Sequence, residues 1–338
     1  MWILSPKNDE KICLANQSLT DLVGNYTPGY AERYNLGEDH FSMQGLTLKW
    51  GLNHKPNSYL VCLSEKKDLL NGVKFYTQEP WLKCEDLLVN TEYFWQVTAY
   101  FDDHEEVSPT YRFQTADTPR TLRIDGVSNT RDLGGRNLQN GKKIRQGMVY
   151  RGGRLDEITE EGKRTAKAIY GIKTDLDLRN FAEGTAGQIS PLGEEIRYVH
   201  INNSPYYLGG ETGIDVEKNK KILGSAIKLF ADVEKYPIYV HCSLGRDRTA
   251  ALCMLLEGLL GVAKRDIMVD YETSFLSKMG SLDGQTATYM EKMFSKTYDY
   301  VADYAKDDFA LACENYLLEA GLTADEITRI REILTVSS

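Results

Sequence analysis

The stretch "PIYVHCSLGRDRTAALCMLLEGLL" (residues 237–260) sets a short polar loop between two apolar runs. The first run is typical of a buried strand that ends at Cys242, and the second predicts a helix that begins near Arg248. In such a turn the backbone N–H groups point inward at the positive end of the helix dipole, which makes an anion cradle. Gly245 permits the tight backbone, and the guanidinium of Arg248 can hold two phosphate oxygens. The loop therefore predicts a phosphate site.

The thiol of Cys242 lies at the floor of this predicted cradle. The same positive field favours its thiolate form at neutral pH. A thiolate in line with a bound phosphorus atom is a nucleophile for phosphoryl transfer. The alternative is an ordinary strand–turn–helix with a buried cysteine. His241 before the cysteine, the glycine within the loop and Thr249 after the arginine favour the catalytic interpretation.

The order His241-Cys242, five residues, Arg248-Thr249 resembles the HCxxxxxR[ST] phosphate loop of the protein tyrosine phosphatases. The resemblance implies that Cys242 forms a phosphocysteine intermediate and that Arg248 stabilises the transition state. It also implies that Thr249 helps the sulfur to leave and that His241 hydrogen-bonds backbone beside the cysteine. It further implies five substrate-binding residues, which are His241, Ser243, Leu244, Gly245 and Arg246.

A second resemblance rests on "IDGVSNTRDLGG" (124–135), "IRQGMVYRGGRL" (144–155) and "GIKTDLDLR" (171–179). These stretches are similar to the bacterial tyrosine phosphatases with a GKDRT-type loop, over about residues 123–338. Several of those enzymes act on phosphoinositides as well as phosphotyrosine. The resemblance implies phosphotyrosine proteins as substrates, with phosphoserine, phosphothreonine or phosphoinositides as further candidates. Arg246 departs from the usual lysine, which keeps the charge but adds a planar fork.

Four residues outside the loop are candidates for supporting it. Asn, Asp and two glycines in "NTRDLGG" predict a turn, which we expect to pack beside the loop with Arg131 or Asp132 bracing it. Asp177 and Arg179 end a predicted strand on the carboxyl side of the sheet, where α/β sites lie. They either support the site or form an ordinary ion pair.

Cleavage of a phosphate ester needs an acid for the leaving oxygen. The chain contains no WPD motif. In the GKDRT group the acid is assigned to the aspartate of the loop, which is Asp247 here, and the alternative for that residue is a helix N-cap. The competing acids are Asp177, Glu211 and Asp215. The last two lie in 208–220, whose glycines and polar residues suit a lid.

The N-terminal third predicts strands, because aromatic and β-branched residues alternate between short turn segments. The strands are expected at 46–52, 58–64, 72–78, 92–101 and 108–115. The run "TEYFWQVTAYFDD" (91–103) followed by "SPTYRFQT" (108–115) resembles fibronectin type III or immunoglobulin-like modules. This domain is expected to position a substrate or protein partner, or simply to pack on its neighbour.

The prediction is therefore two domains. They are an all-β sandwich (1–116) and an α/β domain with a mostly parallel sheet flanked by helices (123–338), joined by a linker (117–122). A length of 338 residues fits two domains. The net charge of −9 argues against a nucleic-acid partner.

No apolar run reaches the ~18 residues of a membrane span, and no leader pattern opens the chain. We expect a cytoplasmic protein, or a secreted one if a leader has been trimmed. Six scattered cysteines without CxxC pairs predict no metal site, and no cofactor motif is present. The alternatives to a tyrosine phosphatase are a cysteine phytase or inositol phosphate phosphatase, and an inactive phosphate-binding scaffold.

Overall fold

The computed structural model describes residues 1–34, 38–40, 42–209 and 215–337. These residues form two compact units. The β unit comprises Met1–Ala15 and Met43–Thr118. The α/β unit comprises Asn16–Ser42 and Pro119–Ser338.

The β unit consists of two sheets. Its strands are β1 (Trp2–Ser5), β2 (Glu10–Ile12), β3 (Leu46–Gly51), β4 (Ser58–Ser64), β5 (Val73–Thr77), β6 (Trp81–Cys84), β7 (Glu92–Tyr100), β8 (Glu105–Val107) and β9 (Tyr111–Thr115). One sheet has the order β1-β3-β6, and the other has the order β2-β9-β7-β4-β5 with β8 paired to β7. All five predicted strands are present, within a few residues of their expected bounds.

The alternation of side chains explains why these segments form a sheet pair. In β3, Leu46, Leu48 and Trp50 are buried, whereas the residues between them are not. A strand turns successive side chains to opposite faces, so this period of two places one face of β3 in the core. Trp50 and Trp95 meet there, with ring centroids 6.3 Å apart.

The α/β unit carries eight helices in its described part. They are α1 (Gln17–Asn25), α2 (Glu160–Ala168), α3 (Val216–Ile227), α4 (Asp247–Leu260), α5 (Lys264–Thr273), α6 (Ala287–Ala302), α7 (Phe309–Glu319) and α8 (Ala324–Leu334). None of the helices in the described residues combines the length and apolarity of a membrane span. The strands of this unit are β10 (Arg120–Thr121), β11 (Arg131–Asp132), β12 (Lys142–Ile144), β13 (Val149–Gly152), β14 (Thr174–Asp177), β15 (Arg197–His200), β16 (Ile238–His241) and β17 (Thr335–Ser337).

The main sheet of this unit has the order β10-β11-β13-β16-β14-β15. The last four of these strands are parallel, which confirms the predicted mostly parallel sheet with helices. Gly152 of β13 and Asp177 of β14 lie in register with His241 of β16, so three carboxyl ends meet at one edge. The α4 helix starts there and is buried along its whole length.

Residues 16–42 belong to the α/β unit, whereas the sequence analysis assigned them to the first domain. Asn16 caps α1 by accepting a hydrogen bond from the Leu19 N–H (3.0 Å). Farther along, the N–H of Ala31 donates to Glu272 of α5 (2.6 Å), and the N–H of Gly29 donates to Glu291 of α6 (3.2 Å). Because these acceptors lie more than 200 positions away, no local pattern reveals the attachment.

The predicted linker, 117–122, also differs from the structure in part. The two units divide between Thr118 and Pro119. Arg120 and Thr121 form β10 in the main sheet and are buried. Arg120 donates to Asp132 of β11 (3.0 Å), so the segment is held by the α/β unit.

We expect the carboxyl of Glu272 to make folding stability depend on pH. Burial and the neighbouring Glu291 carboxyl raise the pKa of Glu272 to about 8. The folded state therefore retains a proton that the unfolded chain loses, so stability falls as pH rises from about 4.5 to about 8. The contribution of one proton is at most about 1.4 kcal/mol per pH unit.

The Glu272→Gln variant imitates the protonated acid, so its stability should decline less steeply over this pH range than that of the wild type. Urea unfolding between pH 5 and pH 9 measures the difference. Glu194→Gln, at an exposed position, should follow the wild-type curve. Parallel curves for the wild type and Glu272→Gln would contradict the assignment.

Candidate active site

The loop between β16 and α4 is a tight turn at the carboxyl edge of the main sheet. Gly245 has φ of +69°, and a Cβ there would come within 2.1 Å of the carbonyl oxygen of Gly152. Only glycine therefore fits this position. Cys242 is 3% exposed, whereas Ser243 and Leu244 are half-buried and form the open side of the loop.

The backbone carbonyls of the loop accept hydrogen bonds from the residues around it. The oxygen of Ser243 accepts from the N–H of Arg154 (3.2 Å), and that of Leu244 accepts from the Asn129 side chain (2.9 Å). The Arg151 guanidinium donates to the oxygens of Gly245 (2.9 Å) and Arg246 (3.2 Å). In a trans peptide the N–H points opposite to the C=O.

Four successive N–H groups, those of residues 244–247, therefore point away from these surrounding donors, toward the inside of the turn. Such a row of converging N–H groups binds anions. Two further donors have no hydrogen-bond partner in the described structure although they are buried. They are the Nε of Arg248 and the hydroxyl of Thr249.

Glu183 holds the guanidinium of Arg248. Its carboxylate oxygens each lie 2.7 Å from one terminal nitrogen, Nη1 or Nη2. Ser243 Oγ donates to the same carboxylate, and the ring of Tyr206 lies 4.6 Å from the guanidinium carbon. Burial opposes ionisation, but the hydrogen bonds from Arg248, Ser243 and the Asn180 N–H outweigh it and lower the pKa of Glu183 to about 2.

The side chain of Arg246 ties the loop to the segment before α6. It donates to the carbonyl of Gly280 (2.6 Å) and to both oxygens of Asp283 (3.0 and 2.7 Å). Asp247 accepts hydrogen bonds from Arg246 Nε (3.1 Å) and from the hydroxyl of Tyr271 (2.7 Å). Asp247 is the first residue of α4, whose N-cap residue is Arg246, and the cap has no side-chain hydrogen bond in the described structure.

His241 is buried directly before the cysteine. Its Nε2 lies 2.9 Å from Asp175, and its Nδ1 lies 3.2 Å from the carbonyl oxygen of Cys242. Burial by itself lowers the pKa of His241, but the negative charges of Asp175 and Asp177 outweigh it and raise that pKa. The contact with the Cys242 carbonyl is of the kind that the family resemblance implies.

Asp177 and Arg179 form an ion pair below the loop. Three donors of Arg179, its N–H, Nε and Nη2, bond to Asp177, and the hydroxyl of Tyr198 donates to the same carboxylate (2.8 Å). The third nitrogen of the guanidinium donates to Asp156 (2.7 Å). Burial opposes ionisation of Asp177, but His241 and Arg179 outweigh it and lower the pKa of Asp177 to about 2.

Of the two candidate proton donors in the predicted lid, Glu211 and Asp215, the structure describes the second. Asp215 caps α3 by accepting a hydrogen bond from the Lys218 N–H (3.0 Å). Glu211 lies outside the described residues. Asp215 is exposed, and its capping hydrogen bond gives it a structural role.

Of the two predicted braces, Arg131 reaches the loop through an intermediary. It donates to the side chain of Asn129 (2.6 Å), which in turn donates to the loop carbonyl of Leu244 (2.9 Å). Asp132 does not reach the loop, because it accepts hydrogen bonds from Arg120 and from backbone N–H groups of two nearby turns.

Asp270 of α5 is the centre of a buried ionic network that the sequence did not reveal. It accepts hydrogen bonds from Arg131 (2.8 Å), Arg136 (3.1 Å) and Arg151. Burial opposes ionisation, but these three arginines outweigh it and hold the pKa of Asp270 well below its usual range. Since Arg151 also supports two loop carbonyls, Asp270 anchors one wall of the loop.

Sequence reasoning thus missed Glu183, Asn129, Arg151 and Asp270. Arg151 had a signal, because a charged residue at the carboxyl end of a predicted strand is the same feature that singled out Asp177. Asn129 lies in the turn that was predicted to pack beside the loop, although this residue was not named as a brace. Glu183 and Asp270 lie in a loop and a helix without any distinguishing pattern.

This chain is similar in sequence to known tyrosine phosphatases. Residues 122–336 match the model of the tyrosine phosphatase family. A protein of Cupriavidus necator named "Putative tyrosine-protein phosphatase" is 25% identical over 173 residues, and the match covers 44% of this chain and 61% of that protein. The chain therefore spans less than two thirds of this relative.

Two solved structures are also similar. The core catalytic domain of the PP-IP phosphatase Siw14 from S. cerevisiae, in complex with citrate, has 16% identity and a TM-score of 0.28, covering 44% of this chain and 86% of that one. A Siw14 catalytic core has 14% identity and a TM-score of 0.29, covering 52% and 94%. The family model matches residues 122–336, which is well over half of this chain. The chain therefore belongs to the tyrosine phosphatase family.

Proposed function

We propose that this protein is a cysteine-dependent phosphomonoester hydrolase that acts on phosphotyrosine in proteins. The observation that carries the proposal is the loop at residues 242–248. Its carbonyls bond outward, its N–H groups turn inward, and the thiol of Cys242 lies in the same turn as Arg248. Membership of the tyrosine phosphatase family supports the same chemistry.

In the first step the thiolate of Cys242 attacks phosphorus, and the bond between phosphorus and the tyrosine oxygen breaks. Asp247 gives a proton to the leaving oxygen. In the second step water attacks the phosphocysteine and gives a proton to Asp247. The sulfur leaves as a thiolate, which accepts a hydrogen bond from the otherwise unpaired Thr249 hydroxyl, and inorganic phosphate is released.

In this mechanism Glu183 positions Arg248. A guanidinium has two forks of donors, and Glu183 occupies the one made by the two terminal nitrogens. The Nε–H has no partner in the described structure and remains for a phosphate oxygen. Nη2 also donates to Ser243 Oγ (3.3 Å), and a second phosphate oxygen would take the place of that hydroxyl. The carboxylate of Glu183 therefore holds the arginine without blocking its second fork.

Glu183→Gln should lower kcat for p-nitrophenyl phosphate by about ten-fold, because an amide accepts only one of the two guanidinium hydrogen bonds. KM should change less, since the second fork of Arg248 remains. Glu195→Gln, which breaks a surface pair with Lys167, is the matched control and should behave as the wild type. A lower KM with unchanged kcat would instead mean that Glu183 competes with the substrate for Arg248.

Asp247 is the proton donor of the proposal, because it lies in the loop itself and because two of the competing acids, Asp177 and Asp215, have structural roles. Asp177 accepts hydrogen bonds from Arg179 and Tyr198, and its pKa lies at about 2. Glu183 is likewise held ionised, and Asp215 caps a helix. Asp247 precedes Arg248 in the loop, beside the predicted phosphate.

Asp247→Asn should lower kcat for a phosphotyrosine peptide by about 100-fold, since acid catalysis contributes at least that factor. Hydrolysis of an aryl phosphate with a much better leaving group, such as p-nitrophenyl phosphate, should fall less, because its leaving oxygen needs no proton. Asp283→Asn is the control, because Asp283 also pairs with Arg246 but lies outside the loop. Equal losses on both substrates in Asp247→Asn would show that the residue only supports the structure.

The arginines around the loop favour a substrate with one phosphate group. Each of them is paired with a carboxylate, which reduces the positive charge available to further phosphates. The pairs are Arg154 with Glu157, Arg179 with Asp177, Arg246 with Asp283 and Arg248 with Glu183.

A substrate panel tests the proposed function. We expect kcat/KM for a phosphotyrosine peptide to exceed that for inositol hexakisphosphate by at least about ten-fold. A phosphoserine peptide and a phosphoinositide complete the panel. Equal turnover of inositol hexakisphosphate would overturn the assignment to proteins, and no turnover of any member would overturn the hydrolase itself.

We further propose that the β unit is a fibronectin type III-like module. The three-stranded order β1-β3-β6 and the order β9-β7-β4-β5 in the second sheet support this assignment. The shared core around Trp50 and Trp95 is consistent with a two-sheet sandwich.

A further inference from the structure

A cavity of about 510 Å³ lies beside the phosphate loop within the α/β unit. We call it the flank pocket. It is formed by three chain segments, 124–128, 154–157 and 278–282, together with Asp39. Apart from Arg154, whose backbone N–H supports the loop, none of these residues has a role in the proposed chemistry.

The flank pocket and the loop share one wall at Gly153 and Arg154. The N–H of Gly153 donates to the carbonyl of Ser128 in the pocket (3.0 Å), and the N–H of Arg154 donates to the carbonyl of Ser243 in the loop (3.2 Å). A Cβ at Gly153 would lie 3.3 Å from Met279 and 3.7 Å from the Ser243 oxygen. A single backbone segment, Gly153 and Arg154, therefore separates the flank pocket from the phosphate loop.

This spacing suits a peptide whose phosphorylated residue occupies the loop. Neighbouring backbone segments lie ~5 Å apart, and an extended peptide advances ~3.5 Å per residue. A residue one or two positions from the phosphotyrosine can therefore place its side chain in the flank pocket.

The lining of the pocket combines apolar walls with an acidic rim. Val127, Met279 and Leu282 supply apolar surface, and Leu282 is 58% exposed. Three carboxylates, those of Asp39, Asp125 and Glu157, face two cations, those of Arg154 and Lys278.

Arg154 and Glu157 offset each other, since they form an ion pair (3.1 Å) and Arg154 also lies 3.6 Å from Asp156. The rim therefore keeps two carboxylates, those of Asp39 and Asp125, against the single cation of Lys278. Exposed apolar surface below a rim of carboxylates matches a side chain with an aliphatic stem and a positive end. An acidic side chain would meet like charges instead.

We propose that the flank pocket selects phosphopeptides with a lysine or arginine close to the phosphotyrosine. The proposal rests on the phosphatase function proposed above and names the class of protein substrate. The stem of the basic residue lies against Met279 and Leu282, and its charge meets Asp125 beside the ion pair of Glu157 with Arg154.

The test compares phosphotyrosine peptides that differ at one flanking position, scanned over three residues on each side. At one position we expect kcat/KM for lysine to exceed that for glutamate by about five-fold, with norleucine between them. Equal rates at every position, or a preference for glutamate, would overturn the proposal. p-Nitrophenyl phosphate has no residues beside its phosphorylated group. Its turnover therefore tests the proposed phosphatase function independently of the flank pocket.

Glu157→Lys should abolish or reverse the preference for lysine at that position while leaving p-nitrophenyl phosphate turnover unchanged. Glu161→Lys is the matched control, because both glutamates are exposed and each pairs with an arginine three positions away. The control should keep the wild-type preference, and an equal shift in both variants would mean that long-range charge, rather than the pocket, sets it.

A binding measurement that does not require turnover completes the test. The Cys242→Ser variant should bind the lysine peptide more tightly than the glutamate peptide, as measured by fluorescence anisotropy. Equal affinities would overturn the proposal even if the wild type hydrolysed none of the peptides.

Discussion

Cys242→Ser is expected to lose hydrolysis of p-nitrophenyl phosphate by at least about 10⁴-fold, as removal of a catalytic nucleophile does in other enzymes. A serine hydroxyl is far less ionised than a thiol, and the loop contains no base positioned to activate it. The fold should be kept, because the substitution replaces one atom of a nearly buried side chain. Initial-rate kinetics, with circular dichroism to verify folding, measure both effects.

The same variant should still bind orthovanadate, because the inward N–H groups and Arg248 are unchanged. Cys313→Ser is the control, since Cys313 is also a buried thiol but lies in α7, away from the loop. It should retain activity per folded molecule. More than about 1% residual activity in Cys242→Ser would contradict the nucleophile assignment.

Asp270→Asn should lower the free energy of unfolding by about 3–5 kcal/mol, the typical cost of removing one partner from a buried ion pair. The neutral amide leaves the buried guanidinium groups of Arg131 and Arg151 without the charge that compensates them. Because Arg151 also supports the carbonyls of Gly245 and Arg246, kcat of the molecules that remain folded should fall as well.

Urea unfolding followed by circular dichroism measures the stability loss. Asp266→Asn lies one turn earlier on the same helix and breaks a surface pair with Arg265, so it should cost at most about 1 kcal/mol. A loss below about 1 kcal/mol in Asp270→Asn would mean that the three arginines find other partners.

The loop could be predicted from the sequence because its essential parts are local. Cys242 and Arg248 are separated by five residues, and that spacing alone determines that they can face one anion. Gly245 was identified for the same reason, since the requirement for glycine arises within the turn. Five of the nine strands described in the β unit were also predictable, because alternation of side chains is a local pattern.

The partners of the predicted residues could not be derived in this way. Arg248 meets Glu183, which lies 65 positions earlier, and Arg151 meets Asp270, which lies 119 positions later. Arg246 was expected to bind substrate, yet its guanidinium is engaged by Asp283 in the structure. A guanidinium bonds whichever carboxylate packing brings near it, and the sequence does not state which one that is.

The division of the chain into two units could not be derived from local patterns either. The attachment of residues 16–42 depends on the buried carboxyls of Glu272 and Glu291. The backbone donors at Gly29 and Ala31 need acceptors once they are removed from water, and those acceptors come from α5 and α6.

The sequence by itself determined the strand–loop–helix unit, the residues of its loop and the class of chemistry that they suit. These depend on periodicity and on spacing over fewer than ten residues. Only the tertiary structure decided which carboxylate holds each arginine, which backbone groups brace the loop and what lies beside its mouth. Those features are hydrogen bonds and ion pairs between distant segments, and they form only when the burial of apolar surface has brought the segments together.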